Sequence, residues 1–367
     1  MGLGALAMGV RGALLLSVQN EFQVSNSELG LTAPAVMIGF TTAVLTVGMA
    51  TGRINIRQFS LLGAGLRFLS LILVGFSPFF FLLLGFFIIS GFSGGLLMAL
   101  GGPILSHMYS KRRGWIFNRY EMVWAIGAAS GPLLAGLVLG FGSWRLVYLF
   151  LGLGFIPLFL LFWRIRLPLS IKQERVLSLK DLKSLGKHPA VFGMALGTAA
   201  NAGVEGSFFT WLAYYMNQYF PQSIAILIFA GYLMAYIPGR FICGRLSEKV
   251  GYANLILFNS VITVFLLFLA LVVTSGATMV ACILAIGFII SGNQPTLLAI
   301  GMNARPEHSG PINGIARSAS ALGISLFSAL IGIIADLSSL QSGMQLLIFL
   351  MIATCVIIFA IRRKVTN

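Results

Sequence analysis

The stretch ANAGVEGSFFTWLAYY, Ala200 to Tyr215, places one carboxylate, that of Glu205, inside a run of apolar and small residues. Such a run is typical of a membrane-spanning helix, where an ionised side chain costs about 2.5–3.5 kcal/mol at the bilayer centre. Asn201 lies four residues before Glu205, so the two side chains share one face of a helix. Because lipid cannot solvate them, we expect that face to meet the protein interior or a water-filled cavity.

The composition of the whole chain indicates a polytopic membrane protein. Of its 367 residues, 58% are hydrophobic and 9% are charged, and its mean hydropathy is +0.96. A soluble domain carries about 25% charged residues, so a soluble protein is excluded. Cys243, Cys282 and Cys355 all lie in apolar segments, which argues against a disulfide framework. The first helix lacks the basic region and cleavage site of a signal peptide, and we expect it to be a retained span.

The net charge of +15 follows a pattern that indicates membrane topology rather than nucleic-acid binding. Basic residues concentrate in every second loop, whereas the intervening loops hold Arg145 and the acids Glu21, Glu28 and Asp336. This alternation matches the positive-inside bias of membrane proteins. It predicts a multi-pass protein of the plasma (inner) membrane with both termini and the basic loops in the cytoplasm.

Runs of about 20 mostly apolar residues, the length of a membrane span, occur twelve times. We number the predicted spans 1 to 12: residues 1–19, 29–50, 59–77, 79–105, 115–139, 144–163, 190–217, 222–243, 253–273, 277–301, 311–335 and 343–361. The basic stretch 164–188 joins spans 6 and 7, and its periodic leucines favour an amphipathic helix on the inner leaflet. A solvated cytoplasmic linker is the alternative. The predicted domains are a six-helix bundle at 1–163, this linker at 164–188 and a second six-helix bundle at 189–367.

A shift of 196 residues brings unusual positions of the two predicted bundles into register. The pairs are Gly48 with Gly244, Arg53 with Lys249, Gly91 with Gly287, Gly114 with Gly310, Gly127 with Gly323, Gly136 with Gly332 and Arg166 with Arg362. One gapless offset that serves several spans favours a parallel repeat, as found in transporters. We therefore predict an all-α membrane protein whose twelve helices form two six-helix halves related by pseudo-two-fold symmetry.

A motif after span 8 resembles one of the Major Facilitator Superfamily of secondary transporters. That family carries a sequence close to G-x-x-x-D-R-x-G-x-R after span 2 and a relative of it after span 8. The stretch GRLSEKVG, Gly244 to Gly251, has acidic and basic residues in the corresponding places. The residues that the resemblance assigns to this conformational loop motif are Gly244, Arg245, Glu248, Lys249 and Gly251.

The first copy of the motif, GMATGRINIR, departs from the family pattern. It keeps Gly48, Arg53 and Arg57, but it has Gly52 where the acid belongs and Asn55 where glycine belongs. This departure puts the usual charge relay of the loop in doubt and leaves the fold assignment intact.

Spans 5, 6 and 7 extend the resemblance over essentially the whole chain. GAASGPLLAG in span 5 is similar to the family's G-x-x-x-G-P motif, which is commoner in exporters, and GSWRLVY resembles the usual entry to span 6. Gly127, Gly131 and Pro132 would permit tight helix packing and a bend, because proline removes a backbone hydrogen bond. Plain helix packing is the alternative to an exporter-specific role. The second half, with G-x-E and a tryptophan in span 7, is loosely similar to sugar–proton symporters of the fucose type.

The same offset carries Arg11 of span 1 to within two residues of Glu205 of span 7. Two opposite charges therefore occupy similar depths in the two halves. We predict that they line one central substrate site and pair there directly or through substrate. A structural ion pair that orders the helices is the alternative.

Glu205 is also the predicted proton-coupling residue. It is the only acidic residue deep in a predicted span, and Glu121 is shallower. Burial disfavours the ionised form of a carboxyl group, whereas a nearby cation favours it. A carboxyl group exposed alternately to water and to a dry occluded state can therefore bind and release a proton.

Several arginines lie nearer the cytoplasmic ends of the spans. The offset maps Glu121 of span 5 onto Arg317 of span 11, and we predict that this pair latches a cytoplasmic gate. The alternative is that each side chain reaches the inner headgroups. For Arg67 and Arg240 we expect snorkelling, in which the charged end of the side chain reaches the interface.

Further polar and aromatic side chains are candidates for binding substrate. Asn293 and Gln294 precede Pro295 in span 10, where we expect an irregular backbone, and we expect recognition to depend mainly on spans 7 and 10. Aromatic residues inside helices either stack on a ring-bearing substrate or simply pack. The predicted substrate-binding residues are Arg11, Asn201, Glu205, Trp211, Tyr215, Asn293, Gln294 and Trp124.

Other function classes find little support in the sequence. His107, His188 and His308 lie at cytoplasmic edges without an H-E-x-x-H motif, so we expect no enzyme activity, no metal and no cofactor. The chain has no P-loop for ATP-driven pumping and no sign of a channel filter.

We therefore predict a secondary active transporter that works as a monomer in the bilayer by alternating access, with protons as the coupling ion. Arg11 favours a small organic anion, because a guanidinium group binds carboxylate or phosphate through two parallel hydrogen bonds. The Gly-Pro motif of span 5 and the Phe- and Met-rich spans favour instead an exporter of amphipathic drugs or metabolites. A sugar–proton symporter and a receptor-like degenerate transporter are the remaining alternatives.

Overall fold

The computed structural model describes residues 2–49, 55–108, 113–164, 185, 188–305 and 308–365, and nearly all of them are helical. The helices of the first half are Gly2–Ala13, Leu15–Phe22, Asn26–Gly30, Thr32–Met49, Ile56–Gly75, Phe80–Met108, Arg113–Leu139, Trp144–Leu153 and Phe155–Arg164. Those of the second half are Pro189–Met216, Gln222–Val250, Tyr252–Phe268, the π-helical turn Leu269–Val273, Gly276–Ile290, Asn293–Ala304, Ser309–Leu337 and Leu340–Val365. Arg53 and most of the linker predicted at 164–188 lie outside the described residues.

The helices form two compact units. One comprises the described residues of Met1–Val24 and Leu31–Val176, and the other those of Ser25–Gly30 and Leu177–Asn367. In the first unit, span 2 packs against span 4, and span 1 packs against span 5. The second unit has the same pairs, span 8 with span 10 and span 7 with span 11.

The helix Asn26–Gly30 belongs to the second unit because Asp336 of span 11 binds its N-terminus. The two carboxylate oxygens of Asp336 accept hydrogen bonds from the main-chain N–H groups of Asn26 at 3.0 Å and Ser27 at 2.7 Å. Ser25 and Glu28 form a capping box, in which each side chain accepts a hydrogen bond from the backbone N–H of the other. Together these contacts satisfy donors that the first turn of a helix leaves unpaired.

Ten helical segments of the described chain are long and apolar enough to cross a membrane, and the bent pair that forms span 1 raises the number to eleven. Span 1 turns by 53° between Gly2–Ala13 and Leu15–Phe22. Span 7, Pro189–Met216, is 28 residues long but is not among these segments. It is buried along almost its whole length. It therefore contacts protein rather than lipid, which explains why it tolerates polar residues.

Glycine contacts repeat between the two units at the offset found in the sequence. A methyl group on Gly91 would overlap the carbonyl oxygen of Val36, and one on Gly287 would overlap the carbonyl oxygen of Tyr232. Val36 and Tyr232 are themselves 196 residues apart, so the same contact occurs in both halves. Small residues let helix backbones approach closely in membranes, where no hydrophobic force drives helices together.

Span 5 also packs closely against span 1, because glycines at the contact have no side chains to keep the backbones apart. A methyl group on Gly127 would overlap the carbonyl oxygen of Gly2, and one on Gly131 would contact the backbone of Leu6 and Val10. In the second half, a methyl group on Gly323 would overlap the carbonyl oxygen of Ala199. The helix Arg113–Leu139 continues across Pro132. These glycines therefore have a packing role, and the bend predicted at the Gly-Pro motif stays a prediction.

We expect Gly323→Ala to destabilise the protein and Gly314→Ala, in the same helix, not to do so. A methyl group meets a backbone oxygen at Gly323 but open space at Gly314. Overpacking costs about 1–3 kcal/mol, whereas replacing an unconstrained helical glycine gains up to about 1 kcal/mol. Thermal unfolding of the two purified variants in detergent measures the difference. Equal unfolding temperatures would show that the contact is not tight.

Candidate functional site

In the second unit, spans 7 and 10 bring together four of the predicted site residues. The side-chain amide of Asn201 donates to Glu205 Oε1 at 2.7 Å and lies 3.4 Å from Gln294 Oε1. Asn293 Nδ2 donates to Asn201 Oδ1 at 3.1 Å. Asn201 and Asn293 are fully buried, and Glu205 is 8% exposed. The result is one connected polar cluster in the interior of the second unit.

Span 10 is broken where the sequence predicted an irregular backbone. The helix Gly276–Ile290 ends before Ser291 and Gly292, and a second helix begins at Asn293. The break places the two adjacent side chains Asn293 and Gln294 at the start of a helix, where both reach Asn201.

Asn259 and Ser320 extend the cluster, and neither was among the predicted site residues. Asn259 Nδ2 of span 9 donates to Asn293 Oδ1 at 3.0 Å, and Gln294 Nε2 donates to Ser320 Oγ of span 11 at 2.5 Å. The amides thus form a directed chain from Asn259 through Asn293 and Asn201 to Glu205. The available signal for Asn259 was an amide inside the apolar span 9, of which it is the seventh residue.

Glu205 also has aromatic and cationic neighbours on span 8. Its carboxylate forms a hydrogen bond with Tyr236 and interacts electrostatically with Arg240. The Tyr236 hydroxyl lies 3.0 Å from that of Tyr232, and the Arg240 guanidinium carbon lies 5.7 Å from the centre of the Tyr236 ring. Arg240 is half-buried, and the helix continues ten residues past it to Val250. The expectation that Arg240 snorkels stays a prediction.

In the first unit, Arg11 is buried in the first helix of span 1. It is 5% exposed, and its Nη1 donates to the main-chain oxygen of Thr32 at 3.4 Å, a long hydrogen bond. Arg67 of span 3 and Tyr148 of span 6 are close enough to interact with Arg11 electrostatically. The predicted pairing of Arg11 with Glu205 stays a prediction.

The expectation that Arg67 snorkels to the interface is wrong. Arg67 is 7% exposed, its Nη1 donates to the main-chain oxygen and the hydroxyl of Ser90, and its guanidinium carbon lies 5.9 Å from the centre of the Phe155 ring. The helix Ile56–Gly75 places Arg67 beyond its midpoint, too far from the end for its side chain to leave the bundle.

Two of the predicted aromatic binding residues, Trp211 and Tyr215, pack inside the second unit. Trp211 is fully buried, and its indole N–H donates to the main-chain oxygen of Ser328 at 2.9 Å. Tyr215 is 1% exposed, and its hydroxyl lies 3.3 Å from that of Tyr219. Trp124 is half-buried in the first unit. Contact of these rings with substrate stays a prediction.

The motif after span 8 is helical rather than a loop. The helix Gln222–Val250 runs through Arg245, Glu248 and Lys249, and Gly251 ends it with a φ of 83°, a conformation that favours glycine. A methyl group on Gly244 would meet open space. The helix therefore continues past Gly244, where there is room for a side chain.

The first motif and the predicted gate are described only in part. Gly48 lies near the end of the helix Thr32–Met49, and Arg57 lies in the first turn of Ile56–Gly75, where it donates to the main-chain oxygen of Trp163. Arg317 is half-buried in span 11. The side chain of Glu121 lies outside the described residues, so the gate pair stays a prediction.

Comparison with solved structures gives the same fold. A bacterial homologue of the human lysosomal transporter Spinster, in an inward-facing and unoccupied conformation, aligns with 99% of this chain and 94% of its own, at a TM-score of 0.83 and 16% identity. The nucleoside transporter NupG aligns with 98% of each chain, at a TM-score of 0.79 and 12% identity. At these identities the likeness concerns the fold alone.

Curated relatives match parts of the sequence. The multidrug efflux pump SdrM of Staphylococcus aureus (strain N315) is 26% identical over 209 residues, which are 55% of this chain and 45% of that protein. A multidrug resistance protein B homolog of Mycobacterium tuberculosis (strain ATCC 25618 / H37Rv) is 28% identical over 131 residues, 35% of this chain and 24% of that protein. The multidrug resistance protein fnx1 of Schizosaccharomyces pombe is 29% identical over 142 residues, 38% of this chain and 26% of that protein. The chain thus spans less than half the length of these relatives.

The family model of the Major Facilitator Superfamily matches residues 2–328 and 194–367, which together cover essentially the whole sequence. The all-α fold, the internal repeat and the membrane-spanning helices agree with that match. The predicted fold class is thereby confirmed, and the chain belongs to the Major Facilitator Superfamily of membrane transporters.

Proposed function

We propose that this protein is a secondary active transporter that moves a small organic anion across the plasma membrane by alternating access, coupled to protons. The single observation that carries the proposal is the buried charge inside each unit. Arg11 lies in the first and Glu205 in the second, each shielded from lipid by its own bundle. Burying such groups is expensive, and in membrane proteins they mark substrate and proton pathways. The basic loops and both termini face the cytoplasm in this proposal, and the working unit is a monomer.

Arg11 supports the choice of an anion. Its Nε and Nη2 are buried, and no described residue accepts a hydrogen bond from either of them. A guanidinium group offers these two atoms in a planar fork that matches the oxygens of a carboxylate or phosphate. A small organic anion is the solute that would satisfy both donors at once.

Glu205 supports proton coupling. Its described partners are the Asn201 amide, the Tyr236 hydroxyl and the charge of Arg240. Asn201 lies one turn away on span 7, and the other two lie on span 8 of the same bundle. Rearrangement of this bundle during transport would change the hydration of the carboxyl group and its distance from Arg240. Both quantities control whether a carboxyl group holds a proton.

We expect Glu205→Gln to abolish proton-driven accumulation and to preserve counterflow exchange. The glutamine oxygen can still accept from Asn201, so the cluster keeps its geometry while it loses its titratable group. One pH unit supplies about 1.36 kcal/mol per proton, or about tenfold accumulation, to a carrier that moves one proton per solute. Uptake of radiolabelled benzoate and succinate into proteoliposomes measures both the proton-driven accumulation and the counterflow exchange.

The matched control for that experiment is Glu28→Gln. Glutamine also fits the third position of a capping box, so this change removes a carboxylate outside the cluster without disturbing the helix start. Proton-driven accumulation that persists in Glu205→Gln would contradict the coupling role of Glu205. Loss of counterflow as well would assign the residue to folding or solute binding instead.

We expect Arg11→Met to weaken anion binding by about tenfold to a hundredfold, because a hydrogen bond to a charged group contributes about 1.5–3 kcal/mol. Ligand-induced thermal shifts of the purified protein with benzoate and succinate measure the change. Arg164→Met, which removes an exposed arginine from the same unit, is the control. Equal shifts in all three proteins would contradict a binding role for Arg11.

An exporter of amphipathic compounds is the second candidate function. The names of three relatives as multidrug resistance or efflux proteins favour it. The ring cluster beside Glu205 supports it too, since Phe208 and Tyr232 lie with their ring centres 5.2 Å apart in the interior of the second unit. In the thermal-shift assay, stabilisation by hydrophobic cations and neutral drugs but by neither benzoate nor succinate would favour the exporter.

A further inference from the structure

The first unit buries a second arginine, Arg67, in addition to Arg11. Arg67 uses Nη1 for the main-chain oxygen and the hydroxyl of Ser90, the latter at 2.8 Å. Its Nε is buried, and no described residue accepts a hydrogen bond from it. Gly94 faces the same guanidinium, since a methyl group there would lie 3.2 Å from Arg67 Nη1. The absence of a side chain at Gly94 therefore leaves room around Arg67.

The two guanidinium groups repel each other. Each is buried, at 5% exposure for Arg11 and 7% for Arg67, and each lies within electrostatic reach of the other. Within the described part of the chain, the hydrogen-bond acceptors of these guanidinium groups are the main-chain oxygens of Thr32 and Ser90 and the hydroxyl of Ser90. None of these acceptors carries a charge, so nothing among them neutralises two cations.

Tyr148 is the third member of the cluster, and it interacts electrostatically with both arginines. A phenol with the ordinary tyrosine pKa of about 10 is neutral at neutral pH. Tyr148 therefore contributes a hydroxyl group to the cluster but no full negative charge. Buried charges in proteins are paired or they cost several kcal/mol each, so two cations with no carboxylate among the described acceptors in their unit favour an anionic ligand.

We propose that Arg11 and Arg67 together form a binding site for a doubly charged oxyanion, a dicarboxylate or a phosphate monoester, inside the first unit. The inference rests on the proposed function, because it names the class of anion that is transported. Nε and Nη2 of Arg11 and Nε of Arg67 are the donors left for the ligand. Two guanidinium groups match two negative charges, whereas a monoanion leaves one cation unpaired.

The test compares ligands of nearly equal size that carry different charges. Succinate, succinamate and succinamide carry two, one and no negative charges at neutral pH. A second comparison, of phenyl phosphate with benzoate, tests a phosphate dianion against a carboxylate monoanion. Thermal shift and calorimetry on the purified wild-type protein give the affinities. We expect succinate to bind about tenfold to a hundredfold more tightly than succinamate, the range for one hydrogen-bonded charge. Phenyl phosphate should likewise bind more tightly than benzoate, by a similar factor.

The variant Arg67→Met should remove this preference and leave succinamate binding nearly unchanged, because Arg11 still holds one carboxylate. Arg67→Lys should keep part of the preference, because the charge remains but the fork is lost. Arg164→Met is the control with an exposed arginine. If Arg67→Met fails to fold, the relative affinities of the wild-type protein for succinate, succinamate and succinamide test the inference by themselves.

Equal binding of succinate and succinamate to the wild type, or a full dianion preference in folded Arg67→Met, would overturn the inference. Binding of succinate alone or of phenyl phosphate alone would support it and would identify the oxyanion. Failure of the proposed function has a different signature. Dianions would then bind with the expected preference but would not accumulate in proteoliposomes under any proton gradient.

Discussion

A polar group in the interior of a membrane protein must find its partners within the protein or in what the protein binds. Lipid offers no hydrogen bonds, and water reaches only cavities and surfaces. This constraint explains why span 7 is buried on nearly every side and why its Asn201 and Glu205 lie in a network rather than against lipid. It also gives meaning to the guanidinium atoms of Arg11 and Arg67 that have no hydrogen-bond acceptor among the described residues.

The two units meet the constraint in different ways. The second places neutral amides in a chain whose donors point toward one carboxylate, so that Asn259, Asn293 and Asn201 each have an acceptor. The first buries two guanidinium groups whose described acceptors are all uncharged. A satisfied network fixes a group in place, whereas unsatisfied donors favour a ligand. This asymmetry leads us to assign solute charge to Arg11 and Arg67 and proton exchange to Glu205.

The repeat provides the scaffold for both clusters. Gly91 and Gly287 make the same backbone contact in their own halves, with Val36 and Tyr232 at the same offset. Close backbone contacts of this kind hold helices together where no hydrophobic force does so. Because the scaffold is shared, the polar residues of each half diverge without a change of fold.

The sequence alone determined the features that depend on local composition and period. These are the spans, the offset of 196 residues, the shared face of Asn201 and Glu205, and the break before Pro295. Only the tertiary structure decided which distant side chains meet, because helix packing sets the distances between residues that lie far apart in sequence. Hence Ser90 accepts from Arg67, although the position of Arg67 in its span predicted that its side chain leaves the bundle, and Arg240 interacts electrostatically with Glu205. Asn259 became part of the site for the same reason, since its partner Asn293 lies in another span.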